Sequence, residues 1–252
     1  MKEILLQGKE ISKVFVGGGE NVPILNRVNV RIFKGDFTVI MGASGAGKST
    51  LLYSLSGMDD ITGGRVEYKG RKINGLSEKE TARLRANEFG FVFQQTHLVS
   101  NLTLYENILV AGYVGKCRPK EVRRKALALL AQMRVGEAKN RLPSQVSGGE
   151  AQRAAIARAV INDPGLIFAD EPTGALNKAG SEEVLNLLSA LSEAGQSILM
   201  VTHDVRAAVR GSRILYMEDG SIADELTLPA YRAADAKERE EKVTRWLSSL
   251  QW

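Results

Sequence analysis

The sequence predicts an α/β fold: a mixed-sheet core, an antiparallel β subdomain beside it and a helical subdomain inserted into it. Three observations carry that expectation. Short apolar runs, Thr38-Val39-Ile40-Met41, Leu166-Ile167-Phe168-Ala169 and Ser197-Ile198-Leu199-Met200-Val201-Thr202, stop abruptly at Gly42, Asp170 and His203. Runs of that length read as buried parallel strands, and their polar ends lie where an open α/β sheet places ligand chemistry. Nearer the N-terminus, Val28-Asn29-Val30-Arg31-Ile32 and Gly64-Arg65-Val66-Glu67-Tyr68 alternate apolar with polar, as antiparallel strands with one wet face do. Residues 95–160 hold helical patterns and no strong strand.

Along the chain, Gly17-Gly18-Gly19 reads as a local flexible loop, ahead of the alternating stretch at 28–32 and the apolar run at 38–41. A helix begins near Lys48. Residues 120–134 (KEVRRKALALLAQMR) and 150–161 (EAQRAAIARAVI) have helical periodicity, the second with alanine and isoleucine on one face and basic residues opposite. A further helix at 180–193 directly precedes the strand at 197–202, as a βαβ crossover requires. In the tail, Val243, Trp246, Leu247 and Leu250 recur at i, i+3, i+4 and i+7, which predicts a short amphipathic helix. Docking on its own core is the leading reading for that helix, and contact with another chain is the alternative. The resulting organisation is a core of 1–94 and 161–226, a helical subdomain at 95–160 and an extension at 227–252.

Composition narrows the class. The chain has 252 residues, 34 basic and 29 acidic, with 44% hydrophobic and 25% charged residues, which excludes a disordered or collagen-like polymer. A membrane span needs about 20 mostly apolar residues in a row. The best stretch, 102–114, is interrupted by Glu106 and Asn107. Glu3 sits where a signal peptide has its basic region, and no apolar core follows it. The single cysteine, Cys117, suits a reducing compartment. The surplus of +5 permits an anionic partner without choosing one.

The chemistry begins at Gly42-Ala43-Ser44-Gly45-Ala46-Gly47-Lys48-Ser49, followed by Thr50, which matches G-x-x-x-x-G-K-[ST] between a strand and a helix. Glycines let backbone N–H groups turn inward around phosphates, and the helix that follows adds its positive end. Lys48 would meet the β- and γ-phosphates and the Ser49 hydroxyl would ligate Mg²⁺. The candidate nucleotide-binding residues are therefore Gly42, Ser44, Gly45, Ala46, Gly47, Lys48, Ser49 and Thr50. The motif places the core among P-loop NTPases with a RecA-like mixed sheet.

Two adjacent acids, Asp170 and Glu171, end an apolar strand. Asp170 suits the hydration shell of Mg²⁺ beside Ser49, and Glu171 suits orienting or deprotonating an attacking water. Ser147-Gly148-Gly149-Glu150 reads locally as a capping box. Two glycines inside it cost roughly 1 kcal/mol each in helix propensity, which a plain helix start would not select. They leave an anion site with no side chain in the way.

Together with 42–50 and 166–171, Ser147-Gly148-Gly149-Glu150-Ala151-Gln152-Arg153 resembles the signature sequence of ATP-binding cassette (ABC) ATPases, over residues 4–225. Through that resemblance, Phe91-Val92-Phe93-Gln94 looks like the strand and Q-loop, with Gln94 touching Mg²⁺ and relaying to a membrane partner. Gly174-Ala175-Leu176-Asn177 looks like the D-loop, and Val201-Thr202-His203-Asp204 like the switch histidine, His203 contacting the γ-phosphate. Phe15 stands where the family stacks an aromatic on adenine. The catalytic set implied is Glu171, His203 and Lys48, and the metal set is Ser49, Gln94 and Asp170. Ser147, Gly148, Gly149 and Glu150 would face the γ-phosphate of a partner protomer.

Segments 41–45, 90–94, 101–107 and 169–176 are similar to the branch containing LolD, MacB and the bacitracin-efflux ATPases. Glu150 replaces a commoner glutamine and Val146 a leucine. Asn177 replaces the D-loop aspartate, which keeps hydrogen bonding but removes a charge at the expected dimer seam. The resemblance implies two copies of the chain sandwiching two Mg-ATP and powering a transmembrane permease on another chain. The place of work would be the cytoplasmic face of the membrane, and the cargo a peptide, lipoprotein or antibiotic moved by export or extraction. A soluble ABC ATPase acting on nucleic acid or ribosomes is the alternative, although the chain has room for one cassette and no cysteine cluster. A module that binds ATP without hydrolysing it is a third reading, against which Glu171 and His203 argue. The basic run at 118–125 (RPKEVRRK) reads as a solvated helix face, so no nucleic acid is expected as a partner. Leu98, Val99, Leu102, Leu104, Tyr105, Ile108 and Leu109 form an apolar cluster after Gln94 that is either subdomain core or in part a groove for a permease helix.

Overall fold

The computed structural model describes residues 2–17, 20–250 and 252. Gly18 and Gly19 of the glycine loop lie outside the described residues. Two long strands open the chain, β1 (Ile4–Gly17) and β2 (Glu20–Phe33), followed by β3 (Phe37–Met41) and α1 (Lys48–Ser56). Strands β4 (Gly63–Tyr68) and β5 (Arg71–Lys72) and helix α2 (Glu78–Glu88) lead into β6 (Phe89–Phe93). Three helices follow, α3 (Leu104–Tyr113), α4 (Pro119–Gln132) and α5 (Gly148–Val160), and then β7 (Leu166–Asp170). The chain continues through α6 (Lys178–Glu193), β8 (Ser197–Val201), α7 (Val205–Ala208), β9 (Arg213–Glu218), β10 (Ser221–Thr227) and α8 (Ala236–Ser249).

These elements gather into two compact units, residues 1–81 with 195–252 and residues 82–194. The helical segment read from the sequence at 95–160 lies inside the second unit. That unit also takes in β6, β7 and α6, because β6 and β7 pair with each other and α5 packs on both β6 and α6.

In the first unit, β2, β1, β4 and β5 form an antiparallel sheet in that order. Val28, Val30 and Ile32 point into the core while Asn29 and Arg31 face water, as their alternation predicts. Glu10 and Arg27 both take left-handed backbone at register shifts between β1 and β2, so neither strand keeps an unbroken period of two. Strands β10, β9, β3 and β8 lie side by side in that order, with β3 parallel to both β9 and β8. Every residue of β3 and β8 is buried, which is why both read as apolar runs without alternation.

The second unit pairs β6 with β7 in parallel, packs α5 on β6 and gathers α3, α4 and α6 against α5. Phe89, Phe91 and Phe168 pack ring to ring across that pair, with centroids 5.1 and 5.5 Å from Phe168. In the apolar cluster after Gln94, Leu104 and Ile108 are core and Val99 is exposed, while Leu98, Leu102, Tyr105 and Leu109 are half-buried.

Helix α8 docks on its own unit through Val243 and Leu247, both buried, while Trp246 donates to Asp224 Oδ2 at 2.9 Å. Arg239 anchors it: buried, it donates to the carbonyls of Val209 (2.8 Å), Pro229 (2.8 Å) and Gly211 (2.6 Å). Replacing Arg239 with methionine keeps the stem but leaves three carbonyls without that donor. The expected cost is about 3 kcal/mol, read as a lower urea midpoint at unchanged slope. An unmoved midpoint would show that the helix adds nothing to the stability of the unit.

Candidate functional site

The first unit carries the phosphate loop between β3 and α1. Gly42, Gly45 and Gly47 have φ of 152°, 84° and 95°, a region that favours glycine. A Cβ on Gly42 would stand 2.1 Å from the Met217 carbonyl oxygen, and one on Gly47 would stand 2.9 Å from that of Ile24. Crowding by backbone as well as conformation therefore excludes side chains at both positions. The Ala46 carbonyl accepts from Gly220 N–H at 3.2 Å, which fixes the loop to the β9–β10 turn.

Gly47 is the N-cap of α1 and supplies no side-chain cap, so the positive helix end faces the loop. Lys48 is buried and its ammonium donates to the carbonyls of Gly42 (2.8 Å) and Ala43 (2.7 Å), which holds the charge at the mouth of the loop. Ser44 and Gly45 are exposed, Ala46 is buried, and Ser49 and Thr50 are half-buried on the first turn of α1. The cradle fits a polyphosphate: backbone without Cβ, a helix N-terminus and one ammonium.

His203 stands beside that loop by register. Ile40 and Val201 are partners on the parallel strands β3 and β8, so Gly42 and His203 each follow their pair by two residues. Thr202 N–H donates to the Ile40 carbonyl at 3.1 Å and extends the pairing to the strand ends. The next residue, Asp204, caps α7, and the His203 side chain is exposed. Phe15, on β1, is 47% exposed with the Lys13 ammonium 5.0 Å from its ring centroid.

The second unit brings Gln94, Asp170 and Glu171 together. Phe93 and Asp170 are partners on β6 and β7, so Gln94 and Glu171 are the next residues on adjacent parallel strands. Asp170 is 8% exposed at the buried strand end. Glu171 has φ +46°, left-handed backbone that an ordinary side chain rarely adopts and that gathers at functional sites. Gly174 N–H donates to the Glu171 carbonyl at 3.0 Å and closes the turn. Gln94 lies over that turn: a Cβ on Gly174 would come 2.9 Å from Gln94 Nε2.

Ser147 caps α5 as the sequence predicts. Its hydroxyl accepts from Glu150 N–H at 3.2 Å, while a Glu150 carboxylate oxygen accepts from Ser147 N–H (2.8 Å) and hydroxyl (2.7 Å). The Ser147 N–H first, and then its hydroxyl, hold the Glu150 carboxyl below the usual range. A depressed carboxyl stabilises the fold above its unfolded pKa and stops doing so as pH falls through the folded value, so the box is intact at neutral pH. Helix α5 meets the start of α6 here: a Cβ on Gly149 would stand in ordinary contact with Gly180 Cα, at 3.7 Å.

Asn177, the departure at the D-loop, is the N-cap of α6, and its Oδ1 accepts from Gly180 N–H at 2.8 Å. An aspartate oxygen would make the same bond, so the helix start survives the loss of charge.

Two polar residues on α5 with no role assigned from the sequence bond the backbone beside Gln94 and Glu171. Gln152 is 1% exposed, and its Nε2 donates to the carbonyls of Phe93 and Pro172, both at 2.8 Å. Arg158 donates to the carbonyls of Thr96 (2.7 Å) and His97 (2.6 Å). A signal for Gln152 existed: it shares a helical face with Ala155, Ile156 and Val160, so it is a polar side chain at a core position.

In chemical terms, the first unit offers an anion cradle with an ammonium and an imidazole, and the second offers two carboxylates with an amide beside them. The family model that matches the chain, over residues 25–174, is described as ABC transporter. The macrolide export ATP-binding/permease protein MacB of Wolinella succinogenes is 40% identical over 222 residues, covering 88% of this chain and 34% of MacB. The chain thus spans about a third of the length of the MacB relatives it matches. An uncharacterized ABC transporter ATP-binding protein of Methanocaldococcus jannaschii is 42% identical over 221 residues, covering 87% of this chain and 98% of that protein. The dimeric ATP-binding cassette MJ0796, solved in a post-hydrolysis state with ADP and Pi, superposes with a TM-score of 0.83 at 38% identity. It covers 90% of this chain and is itself covered in full. This chain therefore belongs to the ABC transporter family as an ATP-binding cassette.

Proposed function

We propose that this chain is an ATP-hydrolysing subunit that pairs with a second copy around two Mg-ATP and drives a membrane permease carried on another chain. The observation that carries the reading is the loop at 42–48, glycine where backbone crowds it and closed by the Lys48 ammonium at 2.7 and 2.8 Å. Lys48 and the loop N–H groups would bind the β- and γ-phosphates, and Phe15 would offer its exposed ring to the adenine. Glu171 would orient and deprotonate the attacking water, and His203 would contact the γ-phosphate.

Among the described residues no group of three or more His, Cys, Asp and Glu side chains could hold a metal alone. Mg²⁺ is commonly held by one or two protein oxygens together with substrate phosphates. The oxygen donors of Ser49, Asp170 and Gln94 fit it, and bound there it would neutralise charge developing on the phosphate oxygens.

Ser147, Gly148, Gly149 and Glu150 would face the γ-phosphate of the other protomer, so that closure completes each site and excludes water. MacB is by name a macrolide export ATP-binding/permease protein, which supports a membrane transport task, and the proposed task is export or extraction of a peptide, lipoprotein or antibiotic. No helix among the described residues is long and apolar enough to cross a membrane. The proposed place of work is the cytoplasmic face of the membrane, reached through the permease, with the exposed Val99 and half-buried Leu98 and Leu102 as its groove.

Purifying the tagged chain from solubilised membranes of its own host tests this. The expected result is a membrane-spanning partner in stoichiometric amount that is lost on Leu98→Asp while basal ATP turnover persists. Recovery in the soluble fraction with salt-sensitive binding to DNA would support the nucleic-acid reading instead.

A further inference from the structure

Helix α5 does more than present the capped signature residues at its N-terminus. Two of its side chains grip backbone on both flanks of Gln94. Gln152 holds the carbonyl of Phe93, the residue before it, and Arg158 holds those of Thr96 and His97, just after it. The same Gln152 amide also holds the carbonyl of Pro172, the residue after Glu171. A single buried nitrogen therefore ties the strand end that carries Gln94 to the turn that carries the carboxylate.

We infer that Gln152 is a positioning residue for hydrolysis, holding Glu171 and Gln94 in mutual register through the backbone on either side of them. The physical ground is the conformation of Glu171. Left-handed backbone at a non-glycine residue is strained and persists only where its surroundings over-determine it. Those surroundings include the Gly174 N–H on the Glu171 carbonyl and the Gln152 amide on the next carbonyl.

Without the amide, the Phe93 and Pro172 carbonyls lose the donor they share. Glu171 can then relax toward ordinary φ and carry its carboxylate away from the water. The Gln152 amide is engaged with the Phe93 and Pro172 carbonyls, so its task is to hold backbone rather than nucleotide. Placement on the signature helix gives this a further consequence: a displacement of α5 moves Gln94 and Glu171 with it. The inference rests on the proposed role of Glu171 as the group that handles the attacking water.

Gln152→Met keeps the length and the burial and removes the donor. The experiment is steady-state hydrolysis of Mg-ATP by the purified full chain, wild type against variant, with thermal unfolding recorded for each. A displaced catalytic group costs about tenfold to a hundredfold in rate. We expect kcat to fall within that range, KM for ATP to stay within about threefold and the unfolding temperature to stay close to wild type. Gln152→Asn, which keeps an amide too short to span both carbonyls, should fall between the two and guards against a methionine variant that fails to fold.

Unchanged kcat in both variants overturns the inference. So does a loss in kcat matched by an equal rise in KM, which general loosening would give. A wild-type chain with no hydrolysis would instead overturn the reading of Glu171 beneath it.

Discussion

Replacing Glu171 with glutamine is expected to lower ATP turnover by about a thousandfold, the middle of the range for losing a general base. ATP affinity should hold within a few-fold. The substitution keeps shape and length and removes only the ability to take a proton from water. The residues of the phosphate loop are unchanged, and Lys48 keeps the Gly42 and Ala43 carbonyls as acceptors. Bound ATP would then persist, and with it the sandwich of two chains that hydrolysis would otherwise release. Phosphate release at saturating Mg-ATP, beside a nucleotide titration, checks both halves. A variant that turns over at the wild-type rate would remove Glu171 from the mechanism.

Lys48→Ala is the second large effect and acts on the other quantity. The ammonium is buried at the loop and is its only charged side chain, since residues 42–49 otherwise contain glycine, alanine and serine. Losing a charge-assisted contact of about 3 kcal/mol should weaken ATP binding by roughly a hundredfold. Calorimetric titration with a non-hydrolysable ATP analogue reads that directly, with no contribution from chemistry. An affinity within threefold of wild type would mean that the loop N–H groups alone bind the phosphates. The two variants thus separate binding from hydrolysis, one residue each.

What the sequence made legible follows from how local each signal is. Strands β3, β7 and β8 were readable because every residue of each is buried, leaving no alternation to confuse with a helix. The phosphate loop was readable because its function is set by glycine spacing within eight residues. Helix α2 was not, since none of its residues is buried and no apolar period exists to detect. Strand β1 hides its alternation behind register shifts and the left-handed Glu10.

Within the candidate site, Gln152 and Arg158 were missed for another reason. Their partners are backbone carbonyls of residues 93, 96, 97 and 172, between 20 and 62 positions away, and a carbonyl carries no residue identity to read. Asn177 shows the converse. As a letter it is a departure from the family pattern, and as a structure it is a capped helix start with a bond at 2.8 Å.

The central claim is that this cassette binds ATP by itself and hydrolyses it only as a pair. Sizing of the purified Glu171→Gln chain by light scattering, with and without saturating Mg-ATP, tests it most directly. The expected mass is that of one chain without nucleotide and of two chains with it, the pair dispersing when Mg-ATP is removed. A single chain at saturating Mg-ATP, with nucleotide shown to be bound, would contradict it.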